Sequence, residues 1–315
     1  SKDGLAAACF TWTAAREIYT QLEVLRFQDG PIEPIEPLLN AWPVDESYID
    51  YVVGRPRSGI VNDRDTWRAL GAELLTVANE RGSETNVSVG WHAIEFLLWG
   101  QDLDPNGPGD RPFTDFVDGG ADAADRRRAY LRIVTDLLVQ HLELLRDAWA
   151  DGADTHRRRF VAEPAVALRS MLTGAAVLTA FEMCGERLAV AYETKDQEQE
   201  HSCFSDNTWA DFVNNQLGVI GVLTGGTDAP ALVSVLTLLR GKDEALAAHL
   251  AECLQRTLAA LRAIPQPFDQ AFLGEDDAPG RVAIEKALQA LEQQAEAIAI
   301  AGRLLGYELP MRPGN

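Results

Sequence analysis

Three of the five histidines stand three positions from a glutamate: His92 with Glu95, His249 with Glu252 and, in reversed order, His201 with Glu198. On an α-helix, side chains at i and i+3 share a face with Cβ atoms about 5 to 6 Å apart, so an imidazole and a carboxylate could chelate one metal ion or pair with each other. Spacing alone does not separate the three pairs; their settings do. His92 and Glu95 are the only ionisable groups in Val87–Gly100, a segment apolar on nearly every side and therefore expected to be buried. A buried carboxylate needs a partner, whether histidine, arginine or metal. The other two pairs lie among charged or small residues and read as solvated faces.

A second set of carboxylates in apolar company is Glu182 and Glu186, one turn apart, with Arg187 beside them. Glu182 could complete a site with His92 and Glu95, because two ligands rarely hold a metal ion alone. The structural alternative is a buried Glu–Arg network. After the His92 segment, Asp102, Asp104, Asn106 and Gly107 imitate the start of an EF-hand loop, but Phe113 stands at the twelfth position and the prolines forbid the usual geometry. The loop is expected to be a turn-rich rim in which Asp102 and Arg111 hold the bundle end or face the site. The run Ser205-Asp206-Asn207-Thr208 is a helix-start signal. His201 and Cys203 just before it raise metal ligation or a Cys–His nucleophile, with no visible orienting residue. No G-x-S-x-G elbow, phosphate loop, dinucleotide fingerprint or HExxH is present.

The elements that would carry these groups read as helices throughout. Apolar periodicity predicts helices over 4–27, 64–81, 84–99 and 121–150, then 157–192, 206–223, 229–261 with a break at Gly241, and 280–305. The prolines at 31, 34, 37 and 43 mark a long connection. The expected fold is all-α: two four-helix-bundle-like domains, 1–153 and 154–315, related by pseudo-symmetry, with a site near their interface.

With 28 Lys and Arg against 48 Asp and Glu, the net charge of −20 disfavours nucleic acid and anionic lipid as partners. Within the apolar stretch 171–192, Glu182, Glu186 and Arg187 would each cost roughly 2.5 to 3.5 kcal/mol at a bilayer centre, so it reads as a buried helix and no membrane span is expected. Cys9, Cys184, Cys203 and Cys253 lie too far apart for metal knuckles; three pairings or free thiols remain open. The sequence opens at Ser1-Lys2-Asp3 without a basic start or apolar stretch, so an export signal is expected to lie outside it.

Gly90-Trp91-His92-Ala93-Ile94-Glu95 and the following Phe96 to Leu103 resemble the GxHxxE signature of imelysin-like proteins, specifically their iron-regulated protein A branch. Supporting likenesses are Asn40-Ala41-Trp42-Pro43, Ile49 to Val52, the loop from Gly107 to Pro112, Leu172-Thr173-Gly174, Gly185-Glu186-Arg187 and Glu200 to Thr208. The resemblance implies two related helical bundles, export to the periplasm or outer cell surface, a link to iron supply, and a peptidase M75 label. It suggests metal or ligand binding by His92, Glu95, Glu182 and Asp206, supported by Gly90, Asp102, Arg111, Glu186, Arg187, His201, Ser205 and Asn207. Trp209 departs from the branch, which commonly has His there, and the last quarter of the chain matches only in helical character.

Three functions follow. The first is a non-enzymatic envelope protein for iron uptake or homeostasis that binds a metal ion, iron or zinc, or a small metal-associated ligand, with other envelope iron-uptake proteins as partners. The second is a metallopeptidase using His92 and Glu95. The third is a structural or protein-interaction module in which these polar groups only fix the packing.

Overall fold

The computed structural model describes the whole chain except residues 28–29, 105, 227–232 and 314–315. Among the described residues the secondary structure is helical, with a lone antiparallel bridge between Val52 and Arg55 and no strand. The chain divides into two compact units, each discontinuous in sequence. One comprises residues 1–16, 34–148 and 201–207, the other 17–33, 149–200 and 208–315. The sequence-derived division at 153/154 sits beside the 148/149 boundary; the segments 17–33 and 201–207 depart from it.

The first unit holds most of α1 (Lys2–Thr20), then α2 (Glu36–Asn40), α3 (Glu46–Ile49), α4 (Gly59–Asn62), α5 (Ala72–Ala78), α6 (Gly90–Trp99) and α7 (Ala124–Ala148). Its core gathers Leu39, Ile49, Ile60, Leu75, Phe96, Leu97 and Tyr130, all fully buried, around α6 and α7. The helix expected over 64–81 contracts to α5, for a local reason. The Asp63 carboxylate accepts from the amides of Asp65 and Thr66, and the Arg126 guanidinium takes the carbonyls of Ile60, Val61 and Trp67. The Trp67 carbonyl, satisfied by a side chain in this way, is lost to a helix. The helix expected from residue 84 likewise starts only at Gly90, because the Asn79 side chain accepts from the amides of Ser88 and Val89 and holds them extended.

The second unit contains α8 (His156–Ala162), α9 (Pro164–Val177), a π-helical segment (Leu178–Ala189), α10 (Val190–Thr194), α11 (Thr208–Thr224), α12 (Val235–Arg240), α13 (Glu244–Arg262), α14 (Phe268–Phe272) and α15 (Pro279–Leu305). The expected helix over 157–192 is interrupted at Glu163, whose φ of −121° and ψ of 71° leave the helical region ahead of Pro164. The expected break at Gly241 falls between α12 and α13; the start of that helix at 229 lies outside the described residues. The core of the unit forms where α9, the π segment, α11, α13 and α15 meet, around Leu172, Met183, Phe212, Leu250, Leu291 and Ile298. Buried amides satisfy each other there: Gln216 and Gln294 exchange hydrogen bonds of 2.7 and 2.9 Å. Gly174 admits the Val24 carbonyl so closely that a Cβ would lie 2.0 Å from its oxygen. The run 164–194 is long and apolar enough to cross a membrane by length and composition, but half of its apolar window is buried within the protein and Arg187 inside it is ion-paired, as in a core helix.

Candidate functional site

Every residue of α6 is buried, so the polar atoms of His92 and Glu95 must find partners within the protein. They find each other first: His92 Nδ1 and Glu95 Oε2 are 2.8 Å apart. The second carboxylate oxygen, Oε1, accepts from the Ser205 amide at 3.0 Å and the Ser205 hydroxyl at 2.6 Å. On the other side of the ring, an Arg16 guanidinium nitrogen stands 3.5 Å from His92 Nε2, and Arg16 also donates to Asn40 Oδ1. Because a guanidinium has only donors, Nε2 must accept; the neutral ring therefore carries its proton on Nδ1 and gives it to Glu95. The order Arg16, His92, Glu95, Ser205 is a relay of directed hydrogen bonds built wholly within the first unit.

Local chemistry explains the placement. Trp12 and Arg16 lie one turn apart on α1; the Trp12 indole donates to the Trp91 carbonyl at 3.1 Å and packs edge-on against Trp91 and Trp99. Gly90 begins α6 at φ 87°, and a Cβ there would lie 2.5 Å from the Leu39 carbonyl oxygen. Only glycine permits this entry, which brings α6 against α2 and Asn40 near Arg16. Ser205 arrives from the segment 201–207, tied into the unit by a Gly109 amide donating to the Phe204 carbonyl at 2.9 Å and by Phe204 against Phe96.

The other expected site residues are distributed differently. Arg111 does not face His92. It closes the C-terminal end of α6, its amide donating to the Trp99 carbonyl and its guanidinium to the Phe96 carbonyl at 3.2 Å. The same guanidinium reaches Asp50 at 2.9 Å and Asp115 at 3.1 Å. Arg127 grips the Asp50 carboxylate with two nitrogens at 2.5 and 2.9 Å. Burial alone would raise the Asp50 carboxyl, but the hydrogen bond from Arg127 and the charges of Arg111 and Arg127 outweigh it and hold its pKa below the usual range. Tyr51, hydrogen-bonded to Asp115, is pushed up to about 12 by burial and by that bond.

Asp102 turns its own loop, accepting from the Asp104 amide at 3.2 Å; Pro105 in that loop lies outside the described residues. His201 is buried, with its ring edge-on to Trp42 at 6.4 Å. Asp206 is half-buried at φ 56°, and the Asn207 amide donates to the Ser202 carbonyl at 3.2 Å, so both shape the turn before α11. Glu182 and Arg187 belong to the second unit. Arg187 pairs there with Glu23 at 2.6 Å and Glu182 at 3.2 Å, and donates to Asn215 at 3.0 Å. Burial works against its charge, but Glu23 and Glu182 more than compensate and raise its pKa. This is the Glu–Arg network named as the structural alternative, carried on the π-helical segment. Glu186 is exposed. Trp209 packs against the core of the second unit, and no disulfide joins Cys9, Cys184, Cys203 or Cys253.

Sequence reasoning missed Arg16 and Asn40 as members of the His92 centre. Their signal was available: an arginine one turn after a tryptophan on an amphipathic helix, and an asparagine directly after the apolar pair Leu38-Leu39. The donor set does not fit a bare metal ion held in this arrangement. His92 and Glu95 are two ligands, each already engaged, and a guanidinium faces the imidazole lone pair. Among the described residues no group of three or more His, Cys, Asp or Glu is placed to hold a metal ion.

No curated protein matches the chain. A solved structure of a Parabacteroides distasonis protein, provisionally assigned as an iron-regulated protein A precursor, is similar to it with a TM-score of 0.74 and 18% identity. That alignment covers 97% of this chain and 84% of the other, and at such identity it speaks for the fold. The sequence model of the imelysin family, peptidase M75, matches residues 1–298 and so takes in both units. This chain belongs to the imelysin family.

Proposed function

We propose that the chain serves iron supply in the cell envelope as a binding protein, taking a metal-associated ligand, and that it is neither a bare-metal carrier nor a peptidase. The observation that carries this reading is the engagement of the His92–Glu95 pair: both carboxylate oxygens and both ring nitrogens have protein partners. A hydrolytic metal centre needs three protein ligands and an open position for water. Glu95, with none of its surface exposed, is poorly placed to act on water. Export and the link to iron rest on family membership and on the name of the structural neighbour.

Calorimetric titration of ferrous iron and zinc into chelator-stripped protein, wild type beside His92→Gln, tests the site. No saturable binding that depends on His92 is expected. Stoichiometric binding lost in the variant would establish a metal centre and overturn the reading, as would chelator-sensitive peptide cleavage lost in Glu95→Gln. Deleting the gene should slow growth under iron limitation; unchanged growth would remove the iron-supply part.

A further inference from the structure

The second unit contains a hollow of about 680 Å³, within the size range of small-molecule sites. It lies where α8, α9 and the chain after α15 meet, and its wall carries Arg159, Arg169 and Arg312 against two acids, Glu33 and Glu163. That excess of positive charge is unusual in a chain of net charge −20. Some surface arginines find acidic partners, as Arg64 does with Asp125, Arg128 with Asp118, Arg157 with Asp151 and Arg240 with Glu244. Arg169 and Arg312 make no ion pair or side-chain hydrogen bond among the described residues, and Arg159 donates only to the Asp154 carbonyl at 3.3 Å.

Glu33 accepts from the Phe27 amide, which fixes its place in the wall. Between the charges the wall includes aromatic surface: Phe160, packed against Trp149 at 5.2 Å, and Phe27 both line it. Guanidinium groups match carboxylates in fork geometry and shed water more readily than ammonium groups. A concave wall combining them with aromatic surface is suited to an anion that also has an apolar face.

We infer that this hollow is a binding site for a small organic carboxylate bearing an aromatic or apolar body, recognised by Arg169 and Arg312 with Arg159 at the rim. The inference does not rest on the iron-related reading and stands or falls separately from it.

Calorimetry on the full chain with phthalate as probe tests it, with inorganic phosphate and neutral phthalamide as comparison arms. Phthalate should bind one to one, and Arg169→Gln together with Arg312→Gln should weaken it at least about tenfold, since each fork contributes a charge-assisted pair. Both arginines are exposed, so the doubly substituted protein should keep the wild-type circular dichroism and melting temperature. Absence of saturable phthalate binding would overturn the inference. So would binding unaffected by the two substitutions, phthalamide binding as tightly as phthalate, or inorganic phosphate competing at equal concentration, which would mean unspecific attraction of charge.

Discussion

Substituting Glu95→Gln changes one atom at the centre of the first unit and should be costly for a reason that can be worked through bond by bond. Glu95 Oε1 takes two donors from Ser205, and Oε2 takes the His92 Nδ1 proton. An amide offers one oxygen and one NH2 group. With its oxygen toward Ser205, the NH2 meets Nδ1–H. The ring could move its proton to Nε2, but Nε2 faces the Arg16 guanidinium, again donor against donor. With the amide reversed, the NH2 meets the Ser205 backbone amide. Every arrangement strands at least one buried donor, a loss of about 1 to 3 kcal/mol, to which the weakening of a charge-assisted bond adds about 1 kcal/mol.

A destabilisation of about 2 to 4 kcal/mol is therefore expected from urea unfolding, with the denaturant slope unchanged. Arg16→Gln combined with Glu95→Gln gives a sharper test. A glutamine at position 16 can present its carbonyl to Nε2–H, so the ring adopts the other tautomer and the conflict ends. The double variant should then be more stable than the two separate losses imply, by about 1 kcal/mol or more. A Glu95→Gln cost below about 0.5 kcal/mol, or strict additivity in the cycle, would refute the directed relay.

Two further outcomes follow from the same unit. Gly90→Ala should lose about 2 to 5 kcal/mol in the same unfolding assay, combining the left-handed φ with a Cβ driven into the Leu39 carbonyl; a near-neutral result would mean that α2 can move away. Asp50 has a folded pKa below its unfolded value of about 3.9, so its stabilisation is complete above that value and fades as pH falls through the folded pKa. Asp50→Asn should cost about 3 to 5 kcal/mol at pH 7 and less at pH 3; parallel pH–stability curves for the two proteins would show that Asp50 does not drive acid unfolding.

Helix type and the identity of the His92–Glu95 pair were legible because both follow from local pattern. An apolar run with two ionisable groups at i and i+3 can be buried only if those groups find partners, and here each is the other's first partner. The unit boundaries were less legible, since membership of 17–33 and 201–207 is decided by packing between residues far apart in sequence. Short elements failed for a related reason: periodicity over 64–81 has no means of registering that Arg126, more than forty positions on, claims the Trp67 carbonyl that a helix would use. Arg111 was expected to hold the bundle end or face the site, and the structure places it at the C-terminal end of α6, where Asp50 and Asp115 hold it with opposite charge.

The arrangement around α6 also constrains what the family signature can do here. The helix is pinned at its start by Gly90 against Leu39 and at its end by Arg111 on the Phe96 and Trp99 carbonyls. Between those pins every side chain is buried, so neither rotation nor translation of the helix is available without breaking the unit's core. Any change at His92 and Glu95 must come from the side chains and from the residues that reach them: Arg16 from α1 and Ser205 from the segment 201–207. Both belong to stretches whose immediate neighbours along the chain, from Glu17 and from Thr208, lie in the second unit. The HxxE spacing on α6 is thus one half of the centre, and the other half is supplied by Arg16 and Ser205 from two segments distant in sequence.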